Sequence, residues 1–230
     1  MDFDASSLSL ISLLLLATYT TYLCSVPPNP SPNNPSQPDS LSIFVTPKNL
    51  FIRRLINVLF SIYHILLTLT YPSPSPLICR FPSHLSPSIF TWSPRTIIYL
   101  FLALGGAFIR LNAFRTLGAD FKFRLDKPKK LITSGMYSYI RHPSYIGQGL
   151  IILANMTLMN NQRGPIACWL PMWVVNASWF WGTVGIAMCG LMMRLARKRV
   201  SEEEALLKGV FGKEWEQWHG KTARFIPGLI

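Results

Sequence analysis

Gly135-Met136-Tyr137-Ser138-Tyr139-Ile140-Arg141-His142-Pro143-Ser144-Tyr145-Ile146-Gly147 is the stretch on which the reading of this chain turns. An Arg, a His and three Tyr stand at the mouth of an apolar run that continues over 145–158. Ionisable side chains at a membrane boundary are costly, so they mark a functional site by default. A second charged cluster, Arg199 followed by Glu202, Glu203 and Glu204, lies just beyond another long apolar run. Two charged clusters framing a membrane hairpin point to one site at the cytosolic surface of a bilayer.

The composition fits that setting. Half of the 230 residues are hydrophobic and only 14% are charged, which is a membrane-protein balance. Five stretches, 7–24, 50–71, 96–114, 144–160 and 166–193, approach the ~17–25 residues that a bilayer crossing needs. The expected fold is therefore all-α, a polytopic membrane bundle of about five transmembrane helices. The first stretch is rich in Ser and Thr. Its acidic start, with Asp2 and Asp4 and no Lys or Arg, argues for a retained span with its N-terminus outside the cytosol, not for a cleaved signal peptide.

The net charge of +12 raises nucleic acid as a partner, and its distribution argues against that. With a cytosolic C-terminus, nineteen Lys and Arg fall in or beside the cytosolic loops, whereas only Arg80, Arg95 and Arg163 face the other side. That bias is a topology signal, with attraction to anionic lipid second. The four Cys, at 24, 79, 168 and 189, all lie in or beside apolar runs without CxxC spacing. They read as small buried hydrophobes, neither disulfide-bonded nor metal ligands.

Residues 26–40 are Pro, Ser and Asn, a linker that cannot build a core. Residues 72–94 are again Pro-rich, as suits an extended lumenal loop. From Thr96 onward Pro thins out, and Gly, aromatic and charged residues take defined places. The chain is accordingly divided into an anchor, 1–95, with two spans, and a working part, 96–230. In the working part, Arg110 and Arg115 read as snorkelling side chains. Gly105 and Gly106 allow close helix approach, and Pro143 suits the first turn of a helix. Residues 131–135 read as a short extended piece ending in a helix start. The aromatics of 166–193 read as interface anchors. Asn155 and Asn176 match the glycosylation pattern but fall inside expected spans. Arg199 and Glu203, four apart, share a helix face, and Gly212 reads as a helix breaker.

With those residues in view, the chain resembles the isoprenylcysteine carboxyl methyltransferase family of integral-membrane enzymes. The matching pieces are Arg110-xx-Ala113-xxx-Leu117-Gly118, Leu131-Ile132-Thr133-Ser134-Gly135-Met136-Tyr137 and Arg141-His142-Pro143-Ser144-Tyr145-Ile146-Gly147. Arg199-xxx-Glu203-Glu204-xx-Leu207-xxx-Phe211-Gly212 follows, with Trp215 and Trp218 behind it. The resemblance covers roughly 110–228. It implies S-adenosylmethionine bound in a cytosolic pocket without a Rossmann loop, and no GxGxxG occurs in the chain. It further implies that Lys130, Leu131, Ile132, Tyr137, Arg141, His142, Pro143 and Ser144 line the cofactor pocket. Glu203 would hold the cofactor's polar end and Arg199 the substrate carboxylate, these two being the catalytic pair.

The implied activity is methyl transfer to the C-terminal carboxylate of a prenylated cysteine, in the endoplasmic reticulum membrane, with the bilayer and a prenylated protein as partners and the site facing the cytosol. A prenylcysteine carboxylate is ionised at pH 7, so no strong base is needed. Positioning and water exclusion would supply most of the rate. Three readings compete: methylation of another apolar molecule or a phospholipid amine, a sterol-type membrane reductase using NADPH, and a non-catalytic scaffold. Oligomeric state is left open.

Overall fold

Backbone in lipid has no water to bond, so each long Leu-, Ile- and Ala-rich run must satisfy its polar N–H and C=O groups internally and folds as helix. A computed structural model of the chain describes residues 4–30, 41–159 and 161–226. Its α-helices are α1 (Ala5–Ser25), α2 (Pro47–Thr70), α3 (Pro87–Phe90), α4 (Pro94–Leu117), α5 (Pro143–Met159), α6 (Met172–Val175), α7 (Ser178–Phe211) and α8 (Lys213–His219). Helices α2 to α5 each open on proline, whose missing N–H is one of the donors a first turn leaves unbonded anyway. There is no strand among the described residues, only an isolated bridge between Ile140 and Ala223. The chain is an all-α membrane helix bundle. Much of the linker at 26–40, the chain start at 1–3, Asn160 and residues 227–230 lie outside the described residues.

Four stretches are long and apolar enough to cross a bilayer: Ala5–Ser25, Pro47–Thr70, Pro87–Asp120 and Ser178–Phe211. The span expected over 144–160 is helical as α5, 17 residues long. At about 1.5 Å per residue that is roughly 25 Å, a little under the ~30 Å hydrocarbon core. The span expected over 166–193 starts later than its composition indicated. Residues Pro165–Trp169 form a 3-10 turn, and α6 is a single short helix before α7 begins at Ser178. Pro171 interrupts the run because it has no N–H to give a continuing helix. Asn176 consequently lies in the connector before α7, not within the span. Helix α7 has 34 residues, roughly 51 Å, so its C-terminal turns extend beyond what a bilayer core covers.

Contacts divide the chain into two units, each assembled from three segments. One comprises Met1–Tyr22, Arg54–Gly105 and Leu150–Gly190; the other comprises Leu23–Arg53, Gly106–Gly149 and Leu191–Ile230. The core of the first unit gathers Leu10, Leu14 and Ala17 of α1, Leu67 of α2, Ile89 and Phe90 of α3, Tyr99 and Ala103 of α4, and Ala154 and Leu158 of α5. Its Pro-rich segment is tied down: Phe81 N–H donates to the Cys168 carbonyl at 3.1 Å and Ser86 N–H to the Arg163 carbonyl at 3.1 Å. There the cysteine expectation is corrected. Cys79 and Cys168 form a disulfide, with Cα atoms 4.8 Å apart, whereas Cys24 and Cys189 are free. Composition hid the pair because the two residues are 89 positions apart; the 3-10 turn after Pro165 brings them together.

The second unit holds the charged clusters. Its hydrophobic centre is Ala113, Tyr137, Trp215 and Trp218, with Leu131, Ile132, Leu207 and Phe211 packed on it. Helices α4 and α5 approach at Gly106 and Gly147: a Cβ on Gly147 would lie 2.6 Å from the Gly106 carbonyl oxygen and 2.8 Å from Arg110 N. Gly212, at φ 52, ends α7 in a backbone region that suits glycine and turns the chain into α8.

Candidate active site

The segment before α5 is irregular for a local reason. Gly135 (φ 62) admits a turn that side-chain-bearing residues avoid, and a 3-10 turn over Gly135–Ser138 follows. The extended piece expected over 131–135 is coil leading into that turn. Tyr139 to Arg141 then pair with the C-terminal arm. Arg141 N–H donates to the Ala223 carbonyl at 2.8 Å, and Ala223 N–H to the Tyr139 carbonyl at 2.9 Å. Trp218 Nε1 donates to the Tyr137 carbonyl at 2.8 Å. Pro143 then starts α5 and puts His142, Ser144 and Tyr145 around its first turn.

The two charged clusters meet here. Glu204 on α7 accepts from Arg141 Nε at 3.2 Å, from His142 Nε2 at 3.1 Å and from Arg224 Nη2 at 2.5 Å. Arg141 Nη1 also donates to the carbonyls of His219, at 2.9 Å, and of Thr222. Glu203, the neighbouring carboxylate, is held differently. Tyr145 Oη donates to its Oε2 at 2.9 Å, and His142 Nδ1 lies 3.9 Å from its Oε1. Arg199 Nε donates to the same Tyr145 hydroxyl at 3.3 Å, and its Nη2 donates to the Phe123 carbonyl at 3.0 Å. Tyr145 is thus the bridge between Arg199 and Glu203.

The carboxylates differ in access: the Glu203 side chain is 30% exposed and that of Glu204 13%. Glu204 has its charge balanced by cations, while Glu203 keeps oxygen lone pairs available to a ligand. The Glu204 carboxylate only accepts, so His142 Nε2 carries the proton in that bond. His142 Nδ1 and Trp215 Nε1 are buried with no hydrogen-bond partner. Such orphans are rare where protein atoms alone fill the space. The Tyr137 phenol is pushed well above its ordinary pKa, first by burial and then by the charge of Glu203, and is a neutral hydroxyl at pH 7.

Of the residues singled out from sequence, Arg141, His142, Pro143, Ser144, Arg199 and Glu203 lie in this unit around the α5 start and α7. Leu131, Ile132 and Tyr137 belong to its hydrophobic centre, and Lys130 is exposed. Sequence reasoning left out Tyr145 and Glu204, although both stand inside the quoted motifs. Arg224 and the Phe123 carbonyl had no signal: one is a lone tail residue, and the other acts through the main chain.

Arg110 departs from its expected snorkelling. Its Nε donates to the Cys24 carbonyl at 3.0 Å, and its Nη1 to Ser144 Oγ at 2.9 Å and to the Ser144 carbonyl at 3.2 Å. The guanidinium carbon lies 5.0 Å from the Phe114 ring centroid and 5.4 Å from that of Phe123.

Comparisons with known proteins fall on the same motifs. The model of the isoprenylcysteine carboxyl methyltransferase (ICMT) family matches residues 97–178, which include the Arg141-to-Gly147 motif and stop short of Arg199. A protein-S-isoprenylcysteine O-methyltransferase of Schizosaccharomyces pombe is 29% identical over 156 residues, 64% of this chain and 55% of that one. The enzyme of that name in Xenopus laevis is 28% identical over 141 residues, 60% of this chain and 41% of its own. Its Homo sapiens counterpart is 26% identical over 141 residues, 60% and 42% of the two chains. The chain spans about half the length of the curated relatives it matches. No solved structure matches it. Motifs, family match and the names of the relatives all point the same way: this chain is similar to the isoprenylcysteine carboxyl methyltransferases.

Proposed function

We propose that the chain is an S-adenosylmethionine-dependent methyltransferase of the C-terminal carboxylate of prenylated cysteine, working at the cytosolic face of the endoplasmic reticulum membrane. The observation that carries this reading is the Arg199–Tyr145–Glu203 linkage. It puts a cation suited to an anionic acceptor beside a carboxylate suited to a cationic donor.

The residues fit the donor. Glu203 offers oxygens to an ammonium, and His142 Nδ1, unpartnered and buried, accepts from a hydroxyl or ammonium. Trp215 Nε1, also unpartnered, donates to a ring or ribose acceptor. Leu131, Ile132 and Tyr137 offer the apolar wall that a nucleoside needs. Arg141 and Pro143 keep that wall in place, the former through Glu204 and the C-terminal arm, and Lys130 stands at the exposed approach. When bound, the donor supplies an electrophilic methyl on a sulfonium.

Arg199 orients the acceptor carboxylate, whose own negative charge makes it the nucleophile, so no residue has to remove a proton. Tyr145 fixes the spacing between Arg199 and Glu203, and burial of His142 and Arg199 keeps water from competing. The apolar tail of the acceptor stays in the bilayer.

Two features support this orientation. Lys and Arg crowd the loops assigned to the cytosol. The Cys79–Cys168 disulfide joins segments assigned to the other side, where an oxidising compartment preserves such bonds. Membranes holding the chain, given labelled S-adenosylmethionine and N-acetyl-farnesylcysteine, are expected to yield labelled methyl ester. Label in phosphatidylethanolamine instead would favour the phospholipid reading and overturn this one.

A further inference from the structure

Arg110 is a charged residue inside a helix long and apolar enough to span a membrane, a position that is costly unless it serves something. Its contacts are specific. It bonds the main-chain end of α1 at Cys24, bonds the carbonyl oxygen and the hydroxyl of Ser144 at the α5 start, and lies against the rings of Phe114 and Phe123. No carboxylate pairs with it among the described residues. Phe114, Phe121 and Phe123 pack on one another, with centroids 4.2 Å, 6.0 Å and 6.1 Å apart. The carbonyl of Phe123 is the acceptor that holds Arg199 Nη2.

We infer that Arg110 is a positioning residue for acceptor recognition: it holds Phe123, and Phe123 in turn sets the guanidinium of Arg199. The inference rests on the function proposed above. The route has two steps. The Arg110 guanidinium holds the Phe123 ring by cation–π contact while its Nε and Nη1 hydrogen bonds fix the guanidinium itself. A held ring fixes its own main chain, so the Phe123 carbonyl meets Arg199 Nη2 at one place. Arg199 is then aimed by two acceptors, the Phe123 carbonyl and the Tyr145 hydroxyl, and not by its own long, flexible stem. A Lys at 110 keeps the charge and loses the planar fork that makes several bonds at once.

The test uses the full chain in membranes, with S-adenosylmethionine as donor and N-acetyl-farnesylcysteine as acceptor. Arg110→Lys is expected to raise the acceptor KM about tenfold while donor KM and thermal midpoint hold within about twofold and a few degrees of the parent. Phe123→Leu, which keeps the carbonyl and loses the ring, is expected to reproduce the acceptor defect. In an Arg199→Lys background the Arg110→Lys effect is expected to shrink below about twofold, because the two act through one contact. Equal loss of donor and acceptor affinity together with a fallen midpoint overturns the inference in favour of a purely structural Arg110, and so do effects that multiply across the two backgrounds. A parent chain that methylates no prenylcysteine overturns instead the function on which the inference rests.

Discussion

Glu203 and Glu204 are adjacent in sequence but held by different partners, and the roles proposed for them diverge, which a pair of isosteric substitutions tests. Glu204→Gln removes the charge that balances Arg141 and Arg224, and His142 Nε2 loses a charged acceptor. The Arg141 side chain is 7% exposed, so its charge loses a buried counter-ion, a change that costs about 3–5 kcal/mol when nothing replaces the partner. Two main-chain carbonyls still hold Arg141 Nη1, and the amide oxygen still accepts, so the expected cost is nearer ~2–4 kcal/mol. At roughly 2–4 °C per kcal/mol for a chain of this size, the thermal midpoint should fall by about 5–15 °C. Glu203→Gln removes a more exposed carboxylate bonded by one neutral hydroxyl, and the midpoint should move by less than about 3 °C. The assay is thermal unfolding of the purified chain in one detergent, with donor affinity measured beside it. Glu203→Gln should lose donor affinity with its fold intact. Equal midpoints for the two variants, or the larger fall in Glu203→Gln, would refute the division.

Gly147→Ala is expected to destabilise by about 1–3 kcal/mol, because the new methyl meets the Gly106 carbonyl oxygen at 2.6 Å and Arg110 N at 2.8 Å; thermal unfolding checks it, and an unchanged midpoint contradicts it. Alkylation of the non-reduced, denatured chain should modify two thiols, Cys24 and Cys189, and reduction should add two more; four thiols without reductant contradict the Cys79–Cys168 bond. Cys79→Ser should lower stability by about 2–4 kcal/mol, read as a lower thermal midpoint than the parent's under non-reducing conditions.

The fold was largely legible because lipid leaves an apolar run little choice but helix. The boundary that sequence misplaced shows where that logic stops. Residues 166–177 are as apolar as a span, yet Pro171 and the 3-10 turn after Pro165 fold them beside the disulfide. Hydropathy counts side chains and does not register the N–H that Pro171 lacks. The cysteine pair was hidden for a related reason, since 89 residues of intervening chain carry no spacing signal. Of the side chains that the motifs singled out, Arg141, His142, Arg199 and Glu203 fall in one unit. Phe123 contributes a carbonyl that any residue possesses, and Arg224 reaches Glu204 from a tail with no motif around it. The inward turn of Arg110 depends on the carbonyls of Cys24 and Ser144, which only the folded chain brings within reach.

One claim underlies the rest: Arg199 grips an anionic acceptor while Glu203 and the walls around Tyr137 and His142 hold the donor. Parallel measurement of donor binding and methyl transfer in Arg199→Ala tests it most directly. Labelled S-adenosylmethionine should bind this variant within about threefold of the parent's affinity, while transfer to N-acetyl-farnesylcysteine falls by about a hundredfold or more. Undiminished transfer, or donor binding lost in step with it, would contradict the assignment of the two roles to separate side chains.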